Sequence, residues 1–466
     1  MSAIITSKFR KENAAKVLAE ILADSAKYYL GVGKADKWPG EGTVNEAITA
    51  PSTDAKASLE AKGNLLALKK IDTTGSARMI PKVELKAGRK YKAYDSNDET
   101  VFYPTLAGDT TTEYPCFAVY NGGVYLCIRN GTESGAAWAT SSSTLTDESG
   151  GYFSSTGGYD WVFIYDLIVG SVLDIEEFVE VEEAAGTAVA QGEIWHAVVV
   201  NGGTGNSVDG NAVTVQGDGT GFAATYVESG GIVTGITITN VGANYTQAKL
   251  DLSALTDVEI NLSITPSEGF GVSALNDLPS WYLGVAVQYT NAEGGEISTK
   301  TEYRQISLIK DPTITPGDGA INSPEDDITA DALRYITVDA TLYTGLVAQL
   351  SVDITSGSYP VIRDTATNAV GYAIRAEDLG GNIAKIYYYQ NYTDSVTLIP
   401  FTNGAGTVDV HTDGDVDGTP NSGLVAFADD AGEYDGTSGE LIFLENRDVI
   451  TRAPSQIEDI RLIIQY

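Results

Sequence analysis

Residues 438–452 read S-G-E-L-I-F-L-E-N-R-D-V-I-T-R, and four consecutive apolar residues lie at positions 441–444. Successive side chains of a strand point to opposite faces, so this run is apolar on both faces and predicts a strand inside a layered sheet. Three polar residues, Glu445, Asn446 and Arg447, follow immediately and predict an abrupt end to the strand. Their side chains need hydrogen-bond partners or water. Taken alone, the segment is also compatible with any buried strand that is followed by a turn.

The composition extends this expectation to the whole chain of 466 residues. Gly (50) and Tyr (26) are abundant, and Tyr far outnumbers Phe (11). Such a composition is typical of strands and turns and predicts a mainly β protein. No apolar run approaches 18 residues, so we expect no membrane span. The amino end, M-S-A-I-I-T-S-K-F-R-K, has no apolar core or cleavage site of a secretory signal.

The charge is strongly negative and unevenly distributed. The chain carries a formal net charge of −34, which argues against nucleic acid as a partner, because phosphate contacts need clustered Lys and Arg. Residues 1–100 are nevertheless net +4, and the remainder is net −38. Two interpretations remain open: the basic end docks against acidic surface of a neighbour or of the same chain, or the charge serves solubility alone.

The two cysteines lie on either side of a predicted hairpin turn. The run C-F-A-V-Y-N-G-G-V-Y-L-C places Cys116 opposite Cys127 if Asn121-Gly122 forms a two-residue type I′ turn. Alpha carbons at a hydrogen-bonded pair are about 5.5 Å apart, so a disulfide is geometrically possible. We expect free thiols, because nothing in the sequence indicates export.

Local patterns predict the order of the elements. We expect a short strand or extended arm over residues 1–10, a helix over 11–29 and a second helical stretch over 55–70, with strands dominating from residue 80 onward. Arg10 and Lys11 oppose the dipole of the first helix, so that end needs a tertiary partner. Residues 130–158 read as a surface loop and 160–168 as another strand that is apolar on both faces. Strands are expected again over 336–400.

A repeat marks a Gly-rich β module. Asn201, Gly203 and Ser207 recur 39 residues later as Asn240, Gly242 and Thr246. Between the two copies, G-D-G-T-G (217–221) and S-G-G-I-V (229–233) are turn signals. We therefore expect three regions: 1–193 as the first part of a β core with amino-terminal helices, 194–265 as a Gly-rich β-repeat insertion, and 266–466 as the rest of the core with expanded loops over 313–430.

Candidate chemistry is sparse. Asp413, Asp415 and Asp417 with Gly418 suit the start of a calcium loop, but the twelfth position is Leu424 instead of Glu, and Pro420 falls inside the loop. A solvated turn explains these residues better. Two Cys and two His provide no metal cluster with ligand spacing. We expect no cofactor and no catalytic residues.

Several short segments resemble, in the same order, one family of viral structural proteins. In chain order they are residues 4–10 (I-I-T-S-K-F-R), 28–34 (Y-Y-L-G-V-G-K), the pair Trp38-Pro39, 79–82 (M-I-P-K), 124–127 (V-Y-L-C), 131–134 (G-T-E-S), 158–165 (G-Y-D-W-V-F-I-Y), 303–309 (Y-R-Q-I-S-L-I) and 438–447 (S-G-E-L-I-F-L-E-N-R). The family is the gene product eight family, the baseplate wedge subunits of contractile-tailed, T-even-like bacteriophages. Each segment is a weak signal alone, and their collinearity over nearly the whole chain is much stronger.

The resemblance implies a layered β-sandwich with a few peripheral α-helices. It further implies a homodimer, assembled in the host cytoplasm with other wedge proteins into the tail baseplate of the virion, and rearranging with them when the tail attaches to a host. Such a switch needs interfaces with two packings of similar energy. The motif residues to which we assign a structural role are Ser7, Lys8, Phe9, Arg10, Trp161, Arg304, Gln305, Glu445, Asn446 and Arg447.

Two other functions remain open from the sequence. The Tyr-, Thr- and Gly-rich composition and the repeat are compatible with a carbohydrate-binding tail adhesin or fibre-type protein. A polysaccharide-cleaving enzyme would require a pair of carboxylates. No pair among the 63 acidic residues stands out.

Overall fold

A computed structural model describes residues 5–466 apart from 45, 108–109, 131–151, 155–157, 169, 172, 174, 183–187, 291–300, 315–328, 332, 356–358, 391–398, 400, 402–405, 412–420, 431–432 and 454. Strands account for 48% of the described residues and helices for 12%. The prediction of a mainly β fold with few helices is therefore confirmed. In the part of the chain that the structure describes, no helix has the length and apolar character to cross a membrane.

The helical elements described are α1 (Ser7–Leu22), α2 (Ala55–Gly63), α3 (Ala274–Asp277), α4 (Leu346–Thr355) and a 3-10 turn (Glu99–Phe102). The first ten strands are β1 (Tyr28–Gly33), β2 (Leu65–Lys70), β3 (Ser76–Pro81), β4 (Thr105–Ala107), β5 (Thr110–Glu113), β6 (Phe117–Tyr120), β7 (Gly123–Asn130), β8 (Tyr152–Ser154), β9 (Tyr159–Asp166) and β10 (Phe178–Glu180). The next eight are β11 (Ile194–Gly202), β12 (Val215–Gly217), β13 (Thr220–Ser229), β14 (Ile232–Ala243), β15 (Ala248–Leu250), β16 (Val258–Ile264), β17 (Tyr282–Thr290) and β18 (Tyr303–Lys310). The last nine are β19 (Thr329–Asp331), β20 (Arg334–Asp339), β21 (Val361–Asp364), β22 (Val370–Gly380), β23 (Ile383–Tyr389), β24 (Gly406–His411), β25 (Asn421–Asp430), β26 (Glu440–Ile450) and β27 (Ile457–Gln465).

The chain divides into two compact units. Unit 1 comprises Met1–Leu18, Ala77–Gly284 and Ile463–Tyr466, and unit 2 comprises Ala19–Ser76 and Val285–Leu462. Each unit is built from distant stretches of sequence, so contacts of long sequence separation hold each one together.

A four-stranded antiparallel sheet, in the order β6-β7-β9-β8, lies in unit 1. Alternate residues of β9 enter two different hydrophobic clusters: Val162 and Ile164 pack in one, and Tyr159 and Trp161 in the other. The prediction that this run is buried on both faces is confirmed. The period of two in a strand is the physical reason, because it sends neighbouring side chains into opposite layers.

The hairpin β6–β7 has the predicted register. Tyr120 pairs with Gly123 across a two-residue turn in which Asn121 (φ 47°) and Gly122 (φ 86°) both have positive φ, as type I′ requires. The amide of Cys127 donates to the carbonyl oxygen of Cys116 at 2.6 Å, so the two cysteines do face each other. Both are buried free thiols, and burial raises the pKa of each well above its usual range.

Strands β11 to β16 form a module with its own hydrophobic core, which includes Ile194, Tyr226 and Tyr245. The sequence repeat is also a structural repeat. Asn201 Oδ1 accepts from the amide of Gly203, and Asn240 Oδ1 accepts from the amide of Gly242, each at 3.0 Å. These are Asx turns, and both glycines have positive φ. The predicted turn at 229–233 is confirmed, because Gly230 and Gly231 connect β13 to β14 in a two-residue turn.

The five-stranded antiparallel sheet of unit 2 has the order β19-β2-β1-β18-β26. The opening segment lies in β26, at the edge of this sheet and not inside a layer. Its apolar residues are only partly buried, and Ile442 is 41% exposed. The strand also continues through Glu445, Asn446 and Arg447 to Ile450. Both expectations for this segment were wrong, because a strand's burial depends on its neighbours in the sheet as well as on its own apolar pattern.

Six strands of unit 2 close into an antiparallel barrel in the order β20-β23-β22-β21-β24-β25, with β25 pairing back to β20. Closure leaves no free edge among these strands. The interior holds Ile336, Ile362 and Ile386, and Leu350 of α4 joins the same cluster. Much of 313–430, expected as expanded loops, is therefore strand and helix. Helix α4 also interrupts the stretch 336–400, where only strands were expected.

Three local predictions near the amino end were wrong. Residues 7–10 begin α1 instead of forming a strand, because the hydroxyl of Thr6 accepts the amide hydrogen of Phe9 and caps the helix. Helix α1 ends at Leu22, and Tyr28 and Tyr29 belong to β1. The predicted helix over 55–70 ends at Gly63. The leucine-rich residues after it form β2, where pairing with β1 overrides their helix propensity. The expected surface loop over 130–158 lies almost entirely outside the described residues.

Candidate functional site

Arg304 is the centre of a buried polar cluster in unit 2. Its side chain is fully buried, and its guanidinium binds both carboxylate oxygens of Glu41 through Nε and Nη2. Nη2 also donates to Glu302 at 2.6 Å, and Nη1 donates to the carbonyl oxygen of Ala35 at 2.7 Å. A planar guanidinium suits this bidentate arrangement, whereas a lysine ammonium could not reproduce it.

The electrostatics of the cluster favour the ionised pair. Burial opposes the charge of Arg304, but the hydrogen bonds to Glu41 and Glu302 outweigh burial and raise the pKa of Arg304 above its ordinary value. The same hydrogen bond from Arg304 lowers the pKa of Glu41. Removing either partner would leave the other charge in a poorly solvated site, which is costly.

Trp38 brings two more of the motif segments to this cluster. Its backbone amide donates to Glu41 at 3.1 Å, and its indole Nε1 donates to the carbonyl oxygen of Arg447 at 2.9 Å. The ammonium of Lys34 lies 4.5 Å from the centre of the Trp38 ring. Segments around residues 34–41, 304 and 447 therefore meet at one place in unit 2, although they are far apart in the sequence.

Gln305 and Asn446 extend the network across paired strands. They are direct partners in the pairing of β18 with β26, and Gln305 Nε2 donates to Asn446 Oδ1 at 2.8 Å. Asn446 Nδ2 in turn donates to the carbonyl oxygen of Thr49 at 2.7 Å. This chain of hydrogen bonds ties β26 to the segment that follows Trp38.

Glu445 and Arg447 contribute differently from their neighbours. Both side chains are half-buried, and neither forms an ion pair with another described residue. Arg447 acts through its backbone carbonyl, which accepts from Trp38. Of the motif residues, Arg304, Gln305 and Asn446 carry the polar network through their side chains.

The S-K-F-R motif at residues 7–10 has one anchored side chain in unit 1. Arg10 Nη1 donates to the hydroxyl of Tyr103 at 3.1 Å, and its guanidinium lies 5.9 Å from the centre of the Trp281 ring. The backbone amide of Ser7 donates to Glu99 at 2.7 Å. Among the described residues, the ion pair of Lys8 is a solvent-exposed one with Glu12, and Phe9 is 54% exposed. The motif therefore has an inward half and an outward half.

Arg10 and Lys11 oppose the dipole of α1, so a tertiary partner was expected at this end of the helix. Lys11, like Arg10, has one. Its ammonium donates to the carbonyl oxygen of Asn276 at 2.5 Å. Burial lowers the pKa of Lys11 to about 8 and raises the pKa of the neighbouring Asp277 to about 7. Asp277 Oδ2 accepts from the amide of Gly271 at 2.7 Å, so Asp277 also holds the loop before α3.

Trp161 is a packing residue. It is fully buried, its ring lies 5.4 Å from that of Tyr91 in an edge-on arrangement, and 6.2 Å from that of Tyr159. Asp413, Asp415 and Asp417 lie outside the described residues. Over the residues that are described, no group of three or more His, Cys, Asp or Glu side chains is arranged to hold a metal ion.

A groove in unit 1 was not predicted from the sequence. It encloses about 320 Å³. Six aromatic residues line it: Phe102, Tyr103, Tyr114, Phe117, Trp281 and Tyr282. Four prolines complete its walls: Pro81, Pro104, Pro115 and Pro279. The pairs Tyr103-Pro104 and Tyr114-Pro115 were visible in the sequence, but nothing in their spacing brings them together with residues 279–282.

Comparisons with known proteins add no relative. No protein-family model matches the chain, and a search of curated proteins found no match.

Proposed function

We propose that this protein is a structural subunit of a phage tail baseplate wedge, which holds neighbouring wedge proteins in place and takes part in the rearrangement on host attachment. One observation carries the proposal: motif segments that resemble the wedge family converge on the buried cluster of Arg304, Glu41 and Trp38, and on the neighbouring pair Gln305 and Asn446. These side chains bind one another, so their arrangement supports an architectural role.

The outward half of the S-K-F-R motif supports contacts with neighbours. Phe9 belongs to a segment that resembles the family motif, and yet its side chain is more than half exposed. An exposed aromatic ring gains free energy when a partner covers it. In this proposal Arg10 anchors the start of α1, and Phe9 packs against a second copy or another wedge protein.

The test is assembly in solution. We expect the purified protein to be a dimer by light scattering and to co-purify with other tail proteins when these are expressed together. Phe9→Ser should weaken at least one of these associations without changing the melting temperature. Ile457→Ser is the matched control, because Ile457 is similarly exposed at 57% and lies outside the motif segments. A protein that is monomeric and binds no other tail protein contradicts the proposal.

The second candidate is a carbohydrate-binding tail adhesin. The aromatic lining of the groove is the observation that favours it, since sugar rings pack on aromatic faces. Saturable binding of a glycan by the isolated protein, lost on Tyr282→Ala, would support this function over the wedge role.

A further inference from the structure

The groove has walls that are already ordered by their own packing. The rings of Phe102 and Tyr103 lie 6.0 and 5.8 Å from that of Trp281, and the ring of Tyr282 lies 6.2 Å from it. Arg10 holds the Tyr103 hydroxyl from outside the groove. The rings are therefore already ordered before a ligand binds, and little side-chain entropy would be lost on binding.

The lining chemistry favours an apolar, extended occupant. Among the described residues that line the groove, the charged side chains are Lys82, Glu84 and Lys86, and none is Asn, Gln, Asp, Ser or Thr. Each of the four prolines lacks a backbone N–H. Polyproline II segments suit such a surface, because they are extended before binding and dock in aromatic-lined grooves.

The rim of the groove carries a small excess of positive charge, in a chain that is acidic as a whole. Lys82 and Lys86 line it, and both are exposed. Glu84 is the acidic residue of the lining, and it lies 3.9 Å from Lys82. The chain as a whole carries a net charge of −34, so this local excess of positive charge favours an acidic partner over other occupants.

We propose that the groove binds an extended, proline-containing peptide segment of another protein, with acidic residues beside the prolines. The prolines pack against the partly exposed rings of Tyr103 and Tyr282, which the buried ring of Trp281 supports from behind, and the acidic residues lie along Lys82 and Lys86. This binding does not depend on the wedge role, because it rests only on the shape and charge of the groove.

The test starts from a display library of random linear peptides on yeast, selected against the full-length protein. We expect the selected peptides to contain proline with neighbouring Asp or Glu. Labelled synthetic copies are then titrated by fluorescence anisotropy. Lys86→Glu should weaken their binding at least about tenfold, since it reverses a rim charge, and added salt should weaken binding to the wild type.

The matched control is Lys249→Glu, an equal charge reversal at an exposed lysine of β15 that does not line the groove. It should leave peptide binding unchanged. Tyr282→Ala tests the apolar wall, and its melting temperature shows whether it folds. Three results would overturn the proposal: selected peptides without proline or acidic enrichment, equal binding by the two charge-reversal variants, or glycan binding that requires Tyr282 in the absence of any peptide selection.

Discussion

The carboxylate of Glu41 accepts hydrogen bonds from both Nε and Nη2 of Arg304, which lies 263 positions further along the chain. The side chain of Arg304 is fully buried. Breaking one partner from a buried ion pair typically costs about 3–5 kcal/mol, because the remaining charge is left unpaired. This contact therefore makes the motif cluster a strong determinant of the stability of unit 2.

Glu41→Gln should lower the free energy of unfolding by about 3 kcal/mol, as measured by urea denaturation. Glu302→Gln is the matched change, since Glu302 binds the same guanidinium but is 29% exposed. We expect its effect to be about 1 kcal/mol or less, as for exposed pairs. Equal losses in the two variants would contradict the dominant role of Glu41.

Asp277 should make unit 1 more stable in mild acid than at neutral pH. Its folded pKa is raised to about 7 from 3.8, so between these values the folded state binds a proton that the unfolded state has lost. The stability contributed by Asp277 is present below pH 4 and falls as the pH rises to 7.

In the Asp277→Asn variant, the loss in the free energy of unfolding between pH 5 and pH 8 should be smaller than in the wild type by on the order of 2 kcal/mol. Denaturation at each pH measures this difference. Lys11 titrates higher, near pH 8, and its lowered pKa acts in the opposite direction, from pH 8 upward. A variant with the same pH profile as the wild type below pH 7 would exclude Asp277 as the cause.

The two cysteines should be unreactive in the folded protein. Burial raises the pKa of both thiols and keeps reagents away from them. Ellman's reagent at pH 7.5 should detect no thiol in the native protein and both after denaturation in guanidinium. Rapid reaction of the native protein would show that the hairpin opens readily.

Gly203 should tolerate substitution much less than Gly205. Both have positive φ, but a Cβ at Gly203 would overlap the carbonyl oxygen of Thr256, whereas a Cβ at Gly205 meets nothing within 4 Å. Gly205→Ala should cost about 1 kcal/mol from backbone strain alone. Gly203→Ala should cost several times more, because backbone must also move. Comparable melting temperatures for the two variants would contradict this difference.

Local signals predicted several elements correctly. The dipeptide Asn121-Gly122 has the residue types that a type I′ turn needs, and this turn alone sets Cys116 opposite Cys127. Residues 7–10 were predicted as a strand or extended arm, but the hydroxyl of Thr6 caps a helix that begins at Ser7. Leu65–Lys70 was misassigned for a different reason: leucine and lysine favour helices, and only pairing with β1 makes this segment a strand.

The candidate sites were harder to predict than the elements. Arg304 and Asn446 were selected as structural residues, but the partners Glu41 and Thr49 were not, because side-chain partners across such separations leave no local pattern. The groove was missed entirely, since its lining residues come from four separate stretches between positions 81 and 282.

The amino-acid sequence determined the mainly β character, the positions of the Gly-dependent turns and the two-faced burial of β9, because each follows from backbone preferences and side-chain alternation within a few residues. Tertiary structure decided that β26 is an edge strand, that β20 to β25 close into a barrel, that Glu41 pairs with Arg304 and that aromatic rings gather beside the exposed lysines Lys82 and Lys86. These depend on which distant segments lie next to each other, and that arrangement is set by the packing of the whole unit.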